Sequence, residues 1–141
     1  MAFMETNNLL NIEQHGFRKD LSCTTNLLLA TEFWTKALDN GNSMDAPYIN
    51  FSKAFDKVPT NRLLLKLENL GIAGPLLKWI KDFLVGRRHK VRINAKCSIW
   101  RPVLSVVPQG SVLDPLLFIM YVNDLTSIVQ SPMLVYADDV N

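Results

Sequence analysis

The stretch that most constrains the fold of this 141-residue chain is its end, residues 133–141. A short apolar run through Val135 and Tyr136 is followed at once by Asp138 and Asp139. An apolar, β-branched run predicts a buried strand, and two acids at its end predict a tight turn at the tip of a sheet. Adjacent carboxylates repel each other unless a cation neutralises them. The pair therefore fits either a Mg²⁺ or Mn²⁺ site or an ordinary acidic turn, which is the commoner case for an isolated pair.

The composition is that of one globular domain or a large piece of a bigger one, because 48% of the residues are hydrophobic and 20% are charged. The net charge of +2 says little about partners. Cys23 and Cys97 match no metal spacing and form no disulfide framework. The N-terminus has no basic segment of a signal peptide, and the longest apolar run, 115–122, is too short to cross a bilayer. We therefore expect an intracellular protein, nuclear or cytoplasmic and not secreted, with no membrane partner.

The first 21 residues predict a short helix followed by a loop that contains Gly16. His15 has no second histidine or cysteine close to it in the sequence. A lone histidine of this kind is expected to be a hydrogen-bonded structural residue rather than a metal ligand.

Residues 22–41 carry the pattern of an amphipathic helix. Ser22, Thr24 or Thr25 can cap its N-terminus, and Gly41 is suited to end it in the left-handed conformation. We interpret it as a packing element, with its tryptophan in the core rather than a stacking platform. The predicted apolar face comprises Leu27, Ala30, Trp34, Ala37 and Leu38.

The central part of the chain predicts one strand and three more helical segments. Residues 45–51 predict the strand. Pro59 breaks the chain, and Thr60 or Asn61 is placed to cap a helix that a glycine ends. Pro75 opens the next helix at a favoured first-turn position. A later apolar stretch, residues 113–128, is also helical in length.

Between these helices, residues 87–103 alternate around an Asn94-Ala95-Lys96 turn and predict a β-hairpin. Six of the fifteen basic residues lie between Gly86 and Pro102, with no acid among them. A basic ribbon suits contact with phosphates. It equally suits a solvated edge that resists aggregation, and the pattern alone does not choose between the two. Beyond the hairpin, a proline and a glycine bracket Gln109, which predicts a glutamine presented from a constrained loop.

Several motifs in fixed order carry a resemblance to a known family. They are Gln-His-Gly-Phe-Arg at 14–18, Tyr-Ile-Asn-Phe-Ser-Lys-Ala-Phe-Asp at 48–56, Gly-Arg-Arg at 86–88, Pro-Gln-Gly-Ser at 108–111 and Tyr-Ala-Asp-Asp at 136–139. Together they resemble the reverse transcriptase of LINE-type (non-long-terminal-repeat) retrotransposons. The resemblance runs from about residue 4 to the last residue.

The resemblance implies an α+β fold, a partial polymerase right hand that comprises the palm and part of the fingers. The expected sheet is antiparallel, is built from the Asn50 strand, part of the basic hairpin and the terminal strand, and has helices on one face. Residues 1–141 would form one partial reverse transcriptase domain. Its upstream fingers segment, the thumb, an endonuclease domain and the return strand after Asp139 would be absent.

The implied activity is RNA-directed DNA polymerisation, in which a primer 3′-hydroxyl attacks the α-phosphate of a dNTP. The partners would be an RNA template, a DNA primer and the dNTP, and the cofactors two Mg²⁺ or Mn²⁺ ions. Asp138 and Asp139 match the catalytic, metal-binding pair of the family. Phe55 matches the aromatic beneath the sugar, and Gln109 with Gly110 matches the loop against the incoming nucleotide. The residues expected near the primer–template backbone are Arg87, Arg88, Lys90 and Arg92.

One departure concerns the third catalytic carboxylate, because Asn50 stands where the family has an aspartate. Asparagine offers a neutral oxygen but no charge, so its expected cost is on the order of 10³-fold in rate. Asp45 lies on the opposite face of the strand from residue 50. Asp56 lies roughly 20 Å away if the chain is extended. Neither is expected to take over.

Val106 and Asp114 also stand where the family has glycine. If those positions need a positive φ, a Cβ there strains the loop that carries Gln109. Three hypotheses follow from the sequence: an active RNA-directed DNA polymerase domain, an inactive fragment of one that at most binds nucleic acid weakly, and a structural module with no nucleic-acid role.

Overall fold

The protein, seen in a computed structural model, is described over residues 2–103 and 110–140. Within these ranges helices alternate with short antiparallel strands, which confirms the predicted α+β class. The helices are α1 (Ala2–Thr6), α2 (Cys23–Asp39), α3 (Thr60–Asn69), α4 (Gly74–Leu84) and α5 (Leu113–Val122). The strands are β1 (Ile49–Asn50), β2 (Arg88–His89), β3 (Arg92–Ile93), β4 (Lys96–Cys97), β5 (Arg101–Pro102), β6 (Val135–Tyr136) and β7 (Asp139–Val140). Short 3-10 turns span Phe55–Lys57 and Leu125–Ile128.

The apolar core is built mainly by α3, α4 and α5. Leu63 and Leu67, one helical turn apart on α3, are fully buried where this helix packs against both α4 and α5. Ile80 and Leu84 repeat the same spacing on α4. Residues 117–120 of α5 are all buried, so this helix is enclosed on every side at its middle. None of the helices described is both long and apolar enough to cross a bilayer.

The predicted start of α2 is confirmed, and that of α3 is wrong by one position. Ser22 caps α2 in a capping box with Thr25. Asn40 follows the last turn and Gly41 then takes a φ of +70°, as the sequence predicts. At α3, however, Pro59 occupies the N-cap and no side chain caps the helix. The proline ring already holds φ at −73°, so helical residues begin directly at Thr60.

The predicted apolar face of α2 is only partly correct. Ala30 is buried, but Leu27 and Leu38 are largely exposed, and Asn26 is buried instead. Asn26 donates from Nδ2 to the carbonyl oxygen of Val135 at 3.3 Å, because this side of α2 lies against β6. Apolar residues occur on several sides of this helix, so spacing alone does not select the buried one.

The terminal strands β6 and β7 join β1 in a three-stranded antiparallel sheet with the order β1-β7-β6. The expectation that no return strand follows the carboxylate pair is wrong. The turn uses only Ala137 and Asp138, so Asp139 and Val140 already pair with both neighbouring strands. On its other side β6 pairs in parallel with the segment around Gln14.

The basic hairpin forms as predicted, but it is not part of that sheet. Over residues 2–103 and 110–140 its strands pair only with each other, β2 with β5 and β3 with β4. Two residues, 90 and 91, separate β2 from β3, whereas three, 98–100, separate β4 from β5. The hairpin therefore carries one extra residue on its return side, which bends and twists such a ribbon. The backbone groups of these strands pair within the hairpin, so the hairpin forms without joining the β1-β7-β6 sheet.

Candidate active site

The two aspartates lie at the tip of the hairpin formed by β6 and β7. Val135 pairs with Val140 and Tyr136 with Asp139, which leaves Ala137 and Asp138 as the turn. Ala137 is buried and has a φ of +59°. Asp138 is half-buried and Asp139 is exposed. The end of the hairpin therefore presents two adjacent carboxylates, Asp138 from the tight turn that the sequence predicts and Asp139 from the first position of β7.

Asn50 stands directly across the sheet from this pair. The register of β1 and β7 sets Asn50 opposite Asp139. Residues directly opposite in antiparallel strands project from the same face, with Cβ atoms about 5 Å apart. The register thus sets Asn50 beside Asp139, and Asp138 follows in the adjacent turn, so the three positions that the family resemblance singled out lie at one end of the sheet, with a carboxamide as the third member.

As a metal site, these three side chains have the right donor atoms but little charge. Within the described residues, no group of three His, Cys, Asp or Glu side chains is arranged to hold a metal ion, so neither Asp45 nor Asp56 completes the pair. Two carboxylates balance one divalent cation, and Mg²⁺ is commonly held by one or two carboxylates plus water and phosphate. The residues therefore fit one divalent ion, whereas two ions would carry four positive charges against two negative ones.

The side chain of Gln14 forms hydrogen bonds with the backbone of this turn, a contact that the sequence did not predict. Its Oε1 accepts from the backbone N–H of Ala137 at 2.9 Å and from that of Gly16 at 2.7 Å. Its Nε2 donates to the carbonyl oxygen of Ala137 at 3.2 Å. The motif that contains Gln14 is part of the family resemblance, but nothing in its pattern indicates a contact across 123 positions.

Gly16 lies against the same turn. A Cβ built on Gly16 would come within 2.3 Å of the backbone nitrogen of Ala137. Only glycine permits so close an approach, because the atom it meets is backbone that cannot rotate away. The glycine in the motif was the one available signal, since an isolated glycine often marks a close backbone contact.

His15 is the structural histidine that the sequence predicts. It is buried, and its Nδ1 lies 2.8 Å from Oγ1 of Thr25. Burial lowers the pKa of His15 below its ordinary value of 6.5. A hydrogen bond with Ser22 raises this pKa, and the nearby positive charge of Arg18 lowers it. His15 also donates its backbone N–H to Val135 at 2.8 Å. The His15 side chain is thus a packing residue beside the strand that leads to the carboxylates.

Phe55 lies between two other aromatic rings. Its ring stacks on Phe118 of α5 with centroids 4.1 Å apart, and meets the edge of Phe17 at 6.4 Å. The side chain is half-buried. Its position is therefore fixed by packing, and its predicted role beneath the sugar stays a prediction.

The loop predicted to touch the nucleotide is described only in part. Val106 and Gln109 lie outside the described residues, and Gly110 is exposed with a φ of +83°. Asp114 does not have the positive φ that was expected, because it lies in the first turn of α5. It is buried, and its Oδ1 has no hydrogen-bond partner among the described residues. Burial, together with the charge of Asp56, raises the pKa of its carboxyl.

The basic residues of the hairpin face solvent. Arg88, Lys90 and Arg92 are exposed, and no described carboxylate forms an ion pair with them. Lys90 lies over the ring of Trp100, with its Nζ 4.9 Å from the centroid. Arg87 is half-buried instead, and its Nε donates to the carbonyl oxygen of Leu84. Three of the four predicted residues thus form an accessible positive surface.

Comparison with known proteins identifies the class. Residues 2–141 match the family described as "Reverse transcriptase (RNA-dependent DNA polymerase)". The chain belongs to this family, and the resemblance drawn from its motifs is confirmed.

Three relatives of the chain are polymerases of mobile elements in Drosophila melanogaster. The chain is 34% identical over 122 residues to the probable RNA-directed DNA polymerase from transposon BS, which covers 86% of this chain and 13% of that protein. It is 32% identical over 145 residues to the one from transposon X-element, covering 99% of this chain and 16% of the relative. With the polymerase from mobile element jockey it shares 30% identity over 134 residues, 89% of this chain and 14% of that protein. The chain thus spans about one seventh of the length of these relatives.

Proposed function

We propose that this chain is the palm segment, with part of the fingers, of an RNA-directed DNA polymerase of a LINE-type retrotransposon. The observation that carries the proposal is the register that sets Asn50 across from Asp139 at the tip of the hairpin. In a chain of this family, that geometry favours Asp138 and Asp139 as the metal-binding catalytic residues. We place the protein inside the cell, in the nucleus or the cytoplasm, where a template and primer are found.

In the proposed reaction, Asp138 and Asp139 would hold Mg²⁺ or Mn²⁺. When bound, such an ion stabilises charge on the attacking and leaving oxygens. Phe55, fixed by its stack on Phe118, is suited to limit the space at the sugar of the incoming nucleotide. Gln109 and Gly110 would lie against that nucleotide. The basic hairpin would neutralise phosphates of the primer–template duplex.

Asn50 sets the level of this activity. Its carboxamide preserves an oxygen donor but removes one negative charge from the site. We infer that the chain polymerises poorly as it stands, and that restoring the carboxylate at residue 50 raises its activity.

The test compares the full chain with Asn50→Asp and, as a control, Asn50→Ala. Free Mn²⁺ measured by electron paramagnetic resonance should show binding that tightens about tenfold in Asn50→Asp. Primer extension on an RNA template should then rise by on the order of 10³-fold. If Asn50→Asp neither binds Mn²⁺ more tightly nor extends the primer faster than Asn50→Ala, the proposed site is wrong.

A second candidate function is nucleic-acid binding without polymerisation. It is favoured by the exposed charges of Arg88, Lys90 and Arg92, which pair with no described carboxylate, together with the missing carboxylate at residue 50. A gel shift over a range of salt concentrations tests it with the triple variant Arg88→Ala, Lys90→Ala, Arg92→Ala. The logarithmic salt slope should fall by about one for each phosphate that the variant no longer neutralises. An unchanged slope would exclude the hairpin as the binding surface.

A further inference from the structure

Gln14 contacts the carboxylate-bearing turn as a second peptide group would. Its side-chain amide faces both the N–H and the C=O of one residue, Ala137, and its oxygen accepts a third bond from Gly16. The residue is 3% exposed, so these bonds are made away from water. Three of the four hydrogen bonds that a carboxamide can form are thereby used on two backbone positions.

The turn that Gln14 holds is one that needs support. Ala137 has a φ of +59°, a conformation that an L-residue with a Cβ adopts rarely and that is maintained only where the surroundings impose it. Ala137 immediately precedes Asp138, so its backbone angles set the direction in which that carboxylate projects. Gly16 closes the space on the same side, since no Cβ fits between it and the backbone of Ala137.

We propose that Gln14 is a positioning residue for the carboxylate pair, acting through the backbone of Ala137. Gly16 packs against the same stretch of backbone, where no Cβ fits. This inference rests on the proposed function, because it assigns Gln14 to the orientation of Asp138 and Asp139 toward a divalent cation. Outer residues that orient metal ligands commonly change metal affinity 10- to 100-fold when they are replaced.

A simple packing role would make a different prediction, and Asn26 provides the matched control. Asn26 is also a buried carboxamide, and it also bonds to the hairpin, but to the carbonyl oxygen of Val135 rather than to the turn. Replacing it removes one buried hydrogen bond to the hairpin, against the three that Gln14 makes, without touching Ala137. Once each variant is corrected for its own free energy of unfolding, a positioning role predicts faster exchange at residues 137–139 and weaker Mn²⁺ binding in the Gln14 variant alone, whereas a packing role predicts no difference between the two variants.

The experiment uses the full chain and the variants Gln14→Met, Asn26→Leu and Asp139→Asn. Amide hydrogen exchange across residues 134–140, corrected for the free energy of unfolding of each variant, is the first measurement. Mn²⁺ affinity from electron paramagnetic resonance is the second. Gln14→Met should speed exchange at residues 137–139 and weaken Mn²⁺ binding by about tenfold. Asn26→Leu should leave exchange at those residues unchanged and weaken binding less than about threefold.

Gln14→Glu replaces Gln14→Met if the methionine variant does not fold, because it keeps both accepting bonds while it replaces the donor to Ala137 with an oxygen and adds a buried negative charge. Equal effects of the Gln14 and Asn26 variants on exchange and on Mn²⁺ affinity would overturn the positioning role. If Asp139→Asn binds Mn²⁺ as tightly as the unchanged chain, the proposed metal site fails. In that case the exchange rates at residues 137–139 alone decide whether Gln14 holds the turn.

Discussion

The two hairpins of this protein have the same local geometry and opposite surroundings. The acidic hairpin, residues 135–140, and the tip of the basic hairpin, residues 92–97, each join two-residue strands through a two-residue turn. In both turns the first residue has a positive φ, +59° at Ala137 and +54° at Asn94. The acidic hairpin buries Ala137 together with residues of both strands, whereas every residue of the basic tip is exposed.

The difference teaches how each turn is held. Asparagine tolerates the left-handed conformation because its short side chain bonds locally, so the basic turn is maintained by its own residue. Alanine has no such chemistry and costs roughly 1 kcal/mol more than glycine there. The acidic turn is therefore maintained from outside, by Gln14 and Gly16, and the region with the candidate catalytic carboxylates depends on residues far away in the sequence.

The largest effect should come from filling the space between Gly16 and the acidic turn. Gly16→Ala places a Cβ 2.3 Å from the backbone nitrogen of Ala137, and we expect a loss of about 3 kcal/mol in the free energy of unfolding. Gly86→Ala is the control at the base of the basic hairpin, because Gly86 also lacks a side chain but has a φ of +75° and no neighbour within 4 Å of a built Cβ. It should cost only about 1 kcal/mol. Urea unfolding measures both, and equal losses would contradict the close contact at Gly16.

Replacing the turn residue of the basic hairpin should give a smaller, local effect. Asn94→Ala places an alanine at a φ of +54°, which asparagine tolerates better, and we expect about 1 kcal/mol less stability of that hairpin. Because the hairpin is exposed, the loss should appear as faster amide exchange at residues 92–97 with no change in the global unfolding midpoint. A shift of the midpoint as large as that of Gly16→Ala would show that the basic hairpin is coupled to the core.

Lowering the pH should affect the stability of the two regions differently, because His15 lies beside the acidic hairpin. The folded-state pKa of His15 lies below its ordinary value of 6.5, so between the two values the unfolded chain binds more protons than the folded one. Stability is then present above pH 6.5 and is lost as the pH falls below that value. Urea unfolding at pH 7.5 and 5.5 should show this loss, and His15→Gln should reduce it. His89→Gln, which removes an exposed histidine of the basic hairpin, is the control, and an equal reduction there would rule out His15 as the source.

The smallest effect on stability should come from the basic hairpin's charges. Arg88→Ala combined with Arg92→Ala removes two exposed side chains that form no ion pair with the described carboxylates, so the free energy of unfolding should change by less than about 0.5 kcal/mol. Thermal unfolding checks this value. A larger loss would show that these side chains stabilise the fold and that the hairpin is packed against the protein rather than solvated.

Much of the fold was predictable because its signals are local. Ser22 marks the start of α2 through capping chemistry, the proline at residue 75 opens α4, and Asn94 forms the turn expected of it. The buried side of α2 was not predictable in the same way. Leu27 and Leu38 have the spacing of a core face but are exposed. Asn26 is buried instead, and its amide donates a hydrogen bond to a carbonyl oxygen on β6.

By itself, the sequence determined the family, the α+β class and the candidate carboxylates, because the chemistry of Asp138 and Asp139 and the order of the motifs are written in adjacent residues. Only the tertiary structure decided which residues stand around that pair. It set Asn50 opposite Asp139 and brought Gln14 and Gly16 beneath Ala137. The physical reason is that strand register and close backbone contact arise between segments more than 80 positions apart, where no spacing rule reaches.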